Sequence, residues 1–473
     1  MLTIELEGSS PVMIKNLLPW QLRKYFEMSK RIRKHELQAT LWYMPGLYIL
    51  GAFVFVALTL YLDLVLELSQ YTPNMIRTTA QPTRLLISAL IGGILTLSAF
   101  TLNSLLVVLT TFSGQFSPRM LLNFVADRTT QHFIGIFHGS FVYVLVIFLF
   151  ITSKEDEYFV AIPATTVFLA FVTVVTFIFF INHATSWMQV HNIATNMKEE
   201  SISIVRKTLR NDLEQFRCEE PGDLMDKERE TETLITAPDS GYIQLIDFKA
   251  MIDEAKKDQI IIKLHNKVGD YVLKGNRFFS YWGAGAERVN VEKYCEHIEL
   301  GYKETEIQDL KMGMTKLSEI GVKSLGNDDP QTAITIIHQM ADLLLEVERD
   351  ITFTPYLADQ EKQVRVVMDA EDFSYYLYRG FGYLRHYAGD NYPIITEIIS
   401  ALSMVAQSIS KDKLDVVWDF AKNSMDHIPK EFIYRLDRDY LLNRLYDLAV
   451  FTGHQEDYGP IEKRLLEIEE NHS

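Results

Sequence analysis

Thr96, Asn103 and Thr110 recur at intervals of seven within residues 85–118, a run of 34 without Asp, Glu, Lys or Arg. Seven residues are close to two helical turns, so the three side chains fall on one slowly drifting stripe of a helix. Polar groups avoid lipid. A stripe of this kind therefore either lines a water-filled path in an oligomer or hydrogen-bonds across a seam between helices. Ser88, Gly92, Ala99 and Gly114 add small residues that suit the seam. On the pore reading, Gln115 and Arg119 stand at its mouth.

Other residues that could do chemistry are scattered. His138, inside Gly135-Ile-Phe-His-Gly139, and His183 are ionisable groups at the boundary of apolar segments. Each is a proton relay or a neutral hydrogen-bonding group at headgroup level. Asp328, Asp329 and Thr332 surround Pro330, where the order Asp-Pro before an amphipathic run is a helix cap. The same oxygens are the candidate contacts for a cytoplasmic ligand or hard cation. No EF-hand spacing accompanies them, and Glu292, Cys295, His297 and Glu299 match no zinc spacing, so no metal site is expected. The chain has no GxxxxGK[ST] loop, GxSxG elbow or HExxH helix. Neither a catalytic residue nor a cofactor is assigned, and the expectation is a protein that is not an enzyme.

The elements that must position these groups are apolar helices. Among 473 residues, the segments 41–62, 85–112, 133–151 and 158–181 are each long enough to cross a hydrocarbon core, which takes about 20 helical residues. Lipid offers the backbone no partners, so spans of this length are helices. Gly135 and Gly139 open the third with the spacing that lets membrane helices approach closely. The spans hold no acidic residue at mid-depth, Asp63 lying at the end of the first, and no inverted repeat, which argues against an ion-coupled transporter.

Orientation follows from the cations. Lys15, Arg23, Lys24, Lys30, Arg31, Arg33 and Lys34 precede the first span, whereas the first connecting loop has only Arg77 and Arg84 and the third only Lys154. The positive-inside rule then places both termini in the cytoplasm of a multi-pass protein. A net charge of −16 argues against nucleic acid as a partner. Two cysteines, Cys218 and Cys295, make no disulfide framework and suit a reducing compartment. No cleavable signal peptide is expected.

The organisation expected is a basic segment over 1–38, a four-helix transmembrane domain over 39–188, and a cytoplasmic helix and linker over 189–236. A β-rich module follows over 237–285, then a mostly helical cytoplasmic domain over 286–473. The uncharged stretch 158–197 reads as one long helix continuing past Lys198 towards Pro221. Alternation in Ser240-Gly-Tyr-Ile-Gln-Leu-Ile-Asp247, at 260–264 and around Val268-Gly-Asp270 signals strands, and 363–368 reads as a further one. The fold class is thus membrane α-helical plus a cytoplasmic α+β region.

The chain resembles, over nearly its whole length, the predicted bacterial membrane proteins grouped as domain of unknown function 2254. The resemblance is carried by Ser113-Gly-Gln-Phe-Ser-Pro-Arg119, Phe180-Ile-Asn-His183 with Gln189-Val190, and Ser240 to Asp247. It continues in Gly269-Asp-Tyr-Val272, Asp329-Pro-Gln-Thr-Ala333 and Phe381-Gly-Tyr-Leu-Arg-His-Tyr387. Where that pattern has Ser-Pro-Gly-Ile-Asn-Asp-Pro, this chain has Ser324-Leu-Gly-Asn-Asp-Asp-Pro330, without the first proline and with Asp328 for Asn. The resemblance implies residence in the bacterial inner (cytoplasmic) membrane and no established activity. The β-rich module also resembles half of a biotinyl/lipoyl-like barrel-sandwich hybrid, although no lysine sits in a Met-Lys-Met-like turn.

The functional expectation is a homo-oligomeric ion channel or pore in the lipid bilayer, lined by Thr96, Asn103 and Thr110 and regulated by its cytoplasmic domain. The alternative is a membrane-anchored sensor or scaffold without a pore, binding a cytoplasmic ligand or protein near Asp328 and Asp329.

Overall fold

The computed structural model of the chain describes residues 28, 30–38, 40–74, 77–115, 124, 127–151, 158–218, 224, 229–305, 308–369, 371–426, 428 and 434–466. The chain divides into two compact units, Met1–Gly114 with Pro118–Gln189, and Gln115–Ser117 with Val190–Ser473.

In the first unit a short helix, α1 (Lys30–Gln38), precedes α2 (Tyr43–Leu60), α3 (Ala80–Gln115), α4 (Arg128–Phe150) and α5 (Ala161–Trp187). Among the described residues, α2 to α5 are the helices long and apolar enough to cross a membrane. Their exposed side chains include Phe53, Val54, Phe55, Phe171, Ile178 and Phe179, a surface that water would disfavour and lipid accommodates. A π-turn over Tyr61–Val65 extends α2, and β1 (Thr78–Thr79) pairs antiparallel with β2 (Tyr158–Phe159), joining the segments ahead of α3 and α5. The core of the unit gathers Ala52, Val56, Ile87, Ile94, Tyr143, Ile147 and Ile162 from all four helices.

α5 ends at Trp187 with Met188 as its cap, and the chain bends before α6 (Val190–Ser203). The single helix expected over 158–197 is therefore two helices.

The second unit builds two sheets. Among the described residues one has the order β3-β10-β11-β6-β8-β4, made of Arg217–Cys218, Tyr356–Ala358, Val364–Val367, Ile261–Leu264, Arg277–Trp282 and Thr233–Thr236. Only β11 and β6 run parallel. The other has β5 (Gly241–Ile246) between β7 (Tyr271–Val272) and β9 (Ile298–Gly301). The strands legible in 237–285 thus find several of their partners outside that window. α7 (Phe248–Asp258) presents one apolar stripe, burying Phe248, Met251, Ile252 and Ala255. α8 (Val291–Glu296) leads into β9.

The helical part centres on the hairpin of α9 (Leu310–Gly326) and α10 (Pro330–Asp350), with α6 packed on both. α10 repeats apolar residues at helical spacing and buries Ile336, Ile337, Met340, Leu343, Leu344 and Val347. α11 (Phe373–Leu377) passes through a π-turn, Tyr378–Gly382, into α12 (Tyr383–Ala388). α13 (Tyr392–Ala406), α14 (Leu414–Asp426), α15 (Arg435–Thr452) and α16 (Gln455–Leu466) complete the unit, α13 packing against α10 and α15.

Candidate functional site

The polar stripe of α3 faces away from its own bundle. The helix buries Ile87, Ile94, Thr101, Leu105 and Val108 against the unit. Thr96, Asn103 and Thr110 each stand two positions beyond a buried residue, about 200° round the helix, and all three are exposed. Ser88, Gly92 and Ala99 are exposed with them, and a Cβ added at Gly92 would meet nothing within 4 Å. The small residues are therefore not a seam within this chain. The hydroxyls of Thr96 and Thr110 donate to the carbonyls of Gly92 (2.8 Å) and Val107 (2.9 Å) on their own helix. The Asn103 amide has no hydrogen-bond partner among the described residues. The Gln115 side chain and Arg119 lie outside the described residues.

Elsewhere in this unit the polar groups are satisfied internally. His138 donates from Nδ1 to the Ile134 carbonyl at 2.8 Å, within its own helix. His183 on α5 places Nε2 3.0 Å from an Asp127 oxygen and 3.1 Å from the Thr130 hydroxyl, with Phe124, Phe133 and Trp187 around the ring. Asp127 also caps α4 by accepting from the Thr130 N–H. Towards the other ends of these helices, buried Asp63 accepts from the backbone N–H groups of Val160, Ala161 (2.9 Å) and Ile162 (2.8 Å). It thereby satisfies orphan donors at the start of α5 and complements the helix dipole. Nothing local to Asp63 signals this, because its partners lie almost a hundred residues along the chain.

In the second unit Asp329 caps α10, accepting from the Thr332 N–H at 3.1 Å and from the Thr332 hydroxyl. Asp328 holds a left-handed conformation (φ 57°) and is exposed. The three residues do come together, as a helix start.

A second cluster, missed in the sequence, gathers around Asp309. This carboxylate is 6% exposed and caps α9 through the Met312 N–H. Its outer oxygen lies against Gly269, where a Cβ would stand 2.1 Å away; with φ at +88° there, only glycine serves both needs. Burial pushes the Asp309 carboxyl up to about 7, with Lys311 opposing and Glu371 reinforcing the shift. Lys311 approaches Asp270 at 3.8 Å, while Lys267 bonds Glu371 at 2.9 Å and lies 4.0 Å over the Tyr375 ring. The Tyr376 hydroxyl donates to Glu371, and burial first, then that carboxylate, hold its proton on well above the usual phenol range. A turn of the sheet region, the start of α9 and the start of α11 thus meet through groups that include one carboxyl able to change charge near neutrality. The sequence signal was Gly269-Asp270, whose glycine is needed by a residue forty positions later. Among the described residues no group of three or more His, Cys, Asp or Glu is placed to hold a metal.

Residues 38–404 match the family described as predicted membrane protein (DUF2254). The chain belongs to that family. The matched segment of this DUF2254 chain takes in α2 to α5, the α9–α10 hairpin and the Asp309 cluster, and ends within α13. Similar proteins include Uncharacterized protein Rv1290c of Mycobacterium tuberculosis (strain H37Rv) and Uncharacterized protein Mb1321c of Mycobacterium bovis. Each is 25% identical over 313 residues, covering 63% of this chain and 58% of the relative. The match thus spans less than two thirds of the length of those relatives. No solved structure matches the chain.

Proposed function

We propose that the protein is a homo-oligomeric ion channel of the bacterial inner membrane, with Thr96, Asn103 and Thr110 of each copy turned towards the conducting path. In this reading both termini are cytoplasmic, as the Lys and Arg distribution favours, and the second unit regulates opening. One observation carries it: Asn103 lies on the face of α3 opposite the buried one, with no partner for its amide among the described residues. An unsatisfied amide in hydrocarbon costs several kcal/mol, so this face calls for water or a second copy of the chain. Purified protein reconstituted in liposomes is expected to conduct ions, and Asn103→Leu to change the conductance. Silence of both proteins across a range of ions and voltages would overturn the reading.

The second reading, a membrane-anchored sensor without a pore, is favoured by the Asp309 cluster, whose titrating carboxyl joins the sheet region to α9. It predicts a protonation-dependent change in the second unit with no conductance at any pH.

A further inference from the structure

Arg385 differs from other partly buried arginines of the second unit. Arg365 pairs with Asp359 at 2.9 Å, Arg217 with Glu214 at 3.4 Å, and Arg206 with Glu346 and Asp350. Arg385 has no carboxylate within ion-pair distance among the described residues. Its Nη1 donates to Asn423 Oδ1 and Ser424 Oγ, both at 3.2 Å, and its guanidinium lies 4.5 Å over the Phe420 ring. The Ser424 proton is already committed to the Phe420 carbonyl at 2.7 Å. The cation is therefore held in place by neutral groups, while Nε and Nη2 have no protein partner. Burial pulls its pKa below the ordinary guanidinium range.

A half-buried charge held this way is stabilised by an anion. Arg385 lines a cleft of about 540 Å³, within the size range of metabolite sites, together with His386, Asp390, Ile395 and Ile428. The free guanidinium edge offers two parallel donors, which match the two oxygens of a planar carboxylate. Ile395 and Ile428 offer apolar surface beside it. The exposed Asp390 carboxylate repels a second negative charge, which disfavours a phosphate dianion.

We propose that this cleft binds a small organic acid, its carboxylate paired with Arg385 and its carbon chain against Ile395 and Ile428. The site is independent of the channel reading, since it uses only α12, α13, α14 and the residue Ile428. The test is isothermal titration calorimetry of the full-length protein in detergent at constant ionic strength, with butyrate, benzoate, succinate and inorganic phosphate as probes. Saturable binding of at least one carboxylate is expected, tighter than that of phosphate. Arg385→Met should weaken it by about tenfold or more, and Arg385→Lys, which keeps the charge and loses the fork, by several-fold. Should Arg385→Met fail to fold, the Lys variant decides. No saturable carboxylate heat, tighter phosphate binding, or unchanged affinity in the folded variants would overturn the proposal.

Discussion

Tyr48 occupies the space that a side chain at Gly135 would need. A Cβ on Gly135 would stand 2.4 Å from Tyr48 Cδ2, and one on Gly139 would stand 3.1 Å from the Tyr48 carbonyl oxygen. The two glycines of α4 are a cradle for one residue of α2, whose hydroxyl lies 3.0 Å from His132 Nδ1. Gly135→Ala should destabilise the membrane unit by about 1–3 kcal/mol through overpacking. Tyr48→Ala in the same chain should recover part of that loss. Unfolding in mixed micelles checks both, and additive effects of the two changes would rule the cradle out.

Asp63 ties the end of α2 to the start of α5. Asp63→Ala leaves several buried N–H groups without an acceptor and should cost about 2 kcal/mol or more. Asp63→Asn keeps one acceptor oxygen and should cost less. Thermal melts of the two variants against the parent give the order, and equal losses would contradict the cap.

Asp309 should give the second unit a pH dependence of defined sign. Its carboxyl titrates near 7 when folded and at about 3.8 otherwise. Between those values the folded chain holds a proton that the unfolded chain has released, so stability falls as pH rises through the window and levels off above it. Each unit of raised pKa is worth about 1.4 kcal/mol, so the whole change is on the order of a few kcal/mol. Asp309→Asn keeps the helix cap and should flatten this limb, matching the parent at pH 5 and exceeding it at pH 8. Parallel melting profiles from pH 5 to 8 would remove Asp309 as the group responsible.

A cysteine at position 103 should report on the outward face of α3. If copies meet there, Asn103→Cys forms an oxidised dimer on a denaturing gel, whereas Phe171→Cys, on the exposed face of α5, does not. The control chain carries Ser in place of Cys218 and Cys295. Equal yields at the two positions would mean that random collision, rather than a fixed interface, joins the chains.

What was legible in the sequence was what neighbouring residues determine. Uncharged runs located the four apolar helices, since length and composition suffice. Asp329 before Pro330 marked the start of α10, and alternation at 363–368 marked β11. What was not legible depends on distant partners. The roles of Asp63 and Asp309 are set by backbone and glycine positions far along the chain, and the parallel pairing of β11 with β6 joins segments a hundred residues apart. The polar stripe on α3 was legible as a stripe, but its outward direction required knowing which face Ile87 and Ile94 bury. Gln115 and Arg119 lie outside the described residues, and the channel roles of Thr96, Asn103 and Thr110 rest on the experiments above.

The π-turn at Tyr378–Gly382 joins α11 to α12, between Tyr375 of the Asp309 cluster and Arg385 of the cleft. A π-turn accommodates one residue more than the regular helix around it. Removing one residue there would restore an uninterrupted spiral and swing everything downstream by about 100°. Arg385 would then leave Asn423 and Ser424, while Lys267 and Glu371 kept their places. The extra residue thus lets one continuous helix serve two separate chemistries, and a single codon deletion would uncouple them.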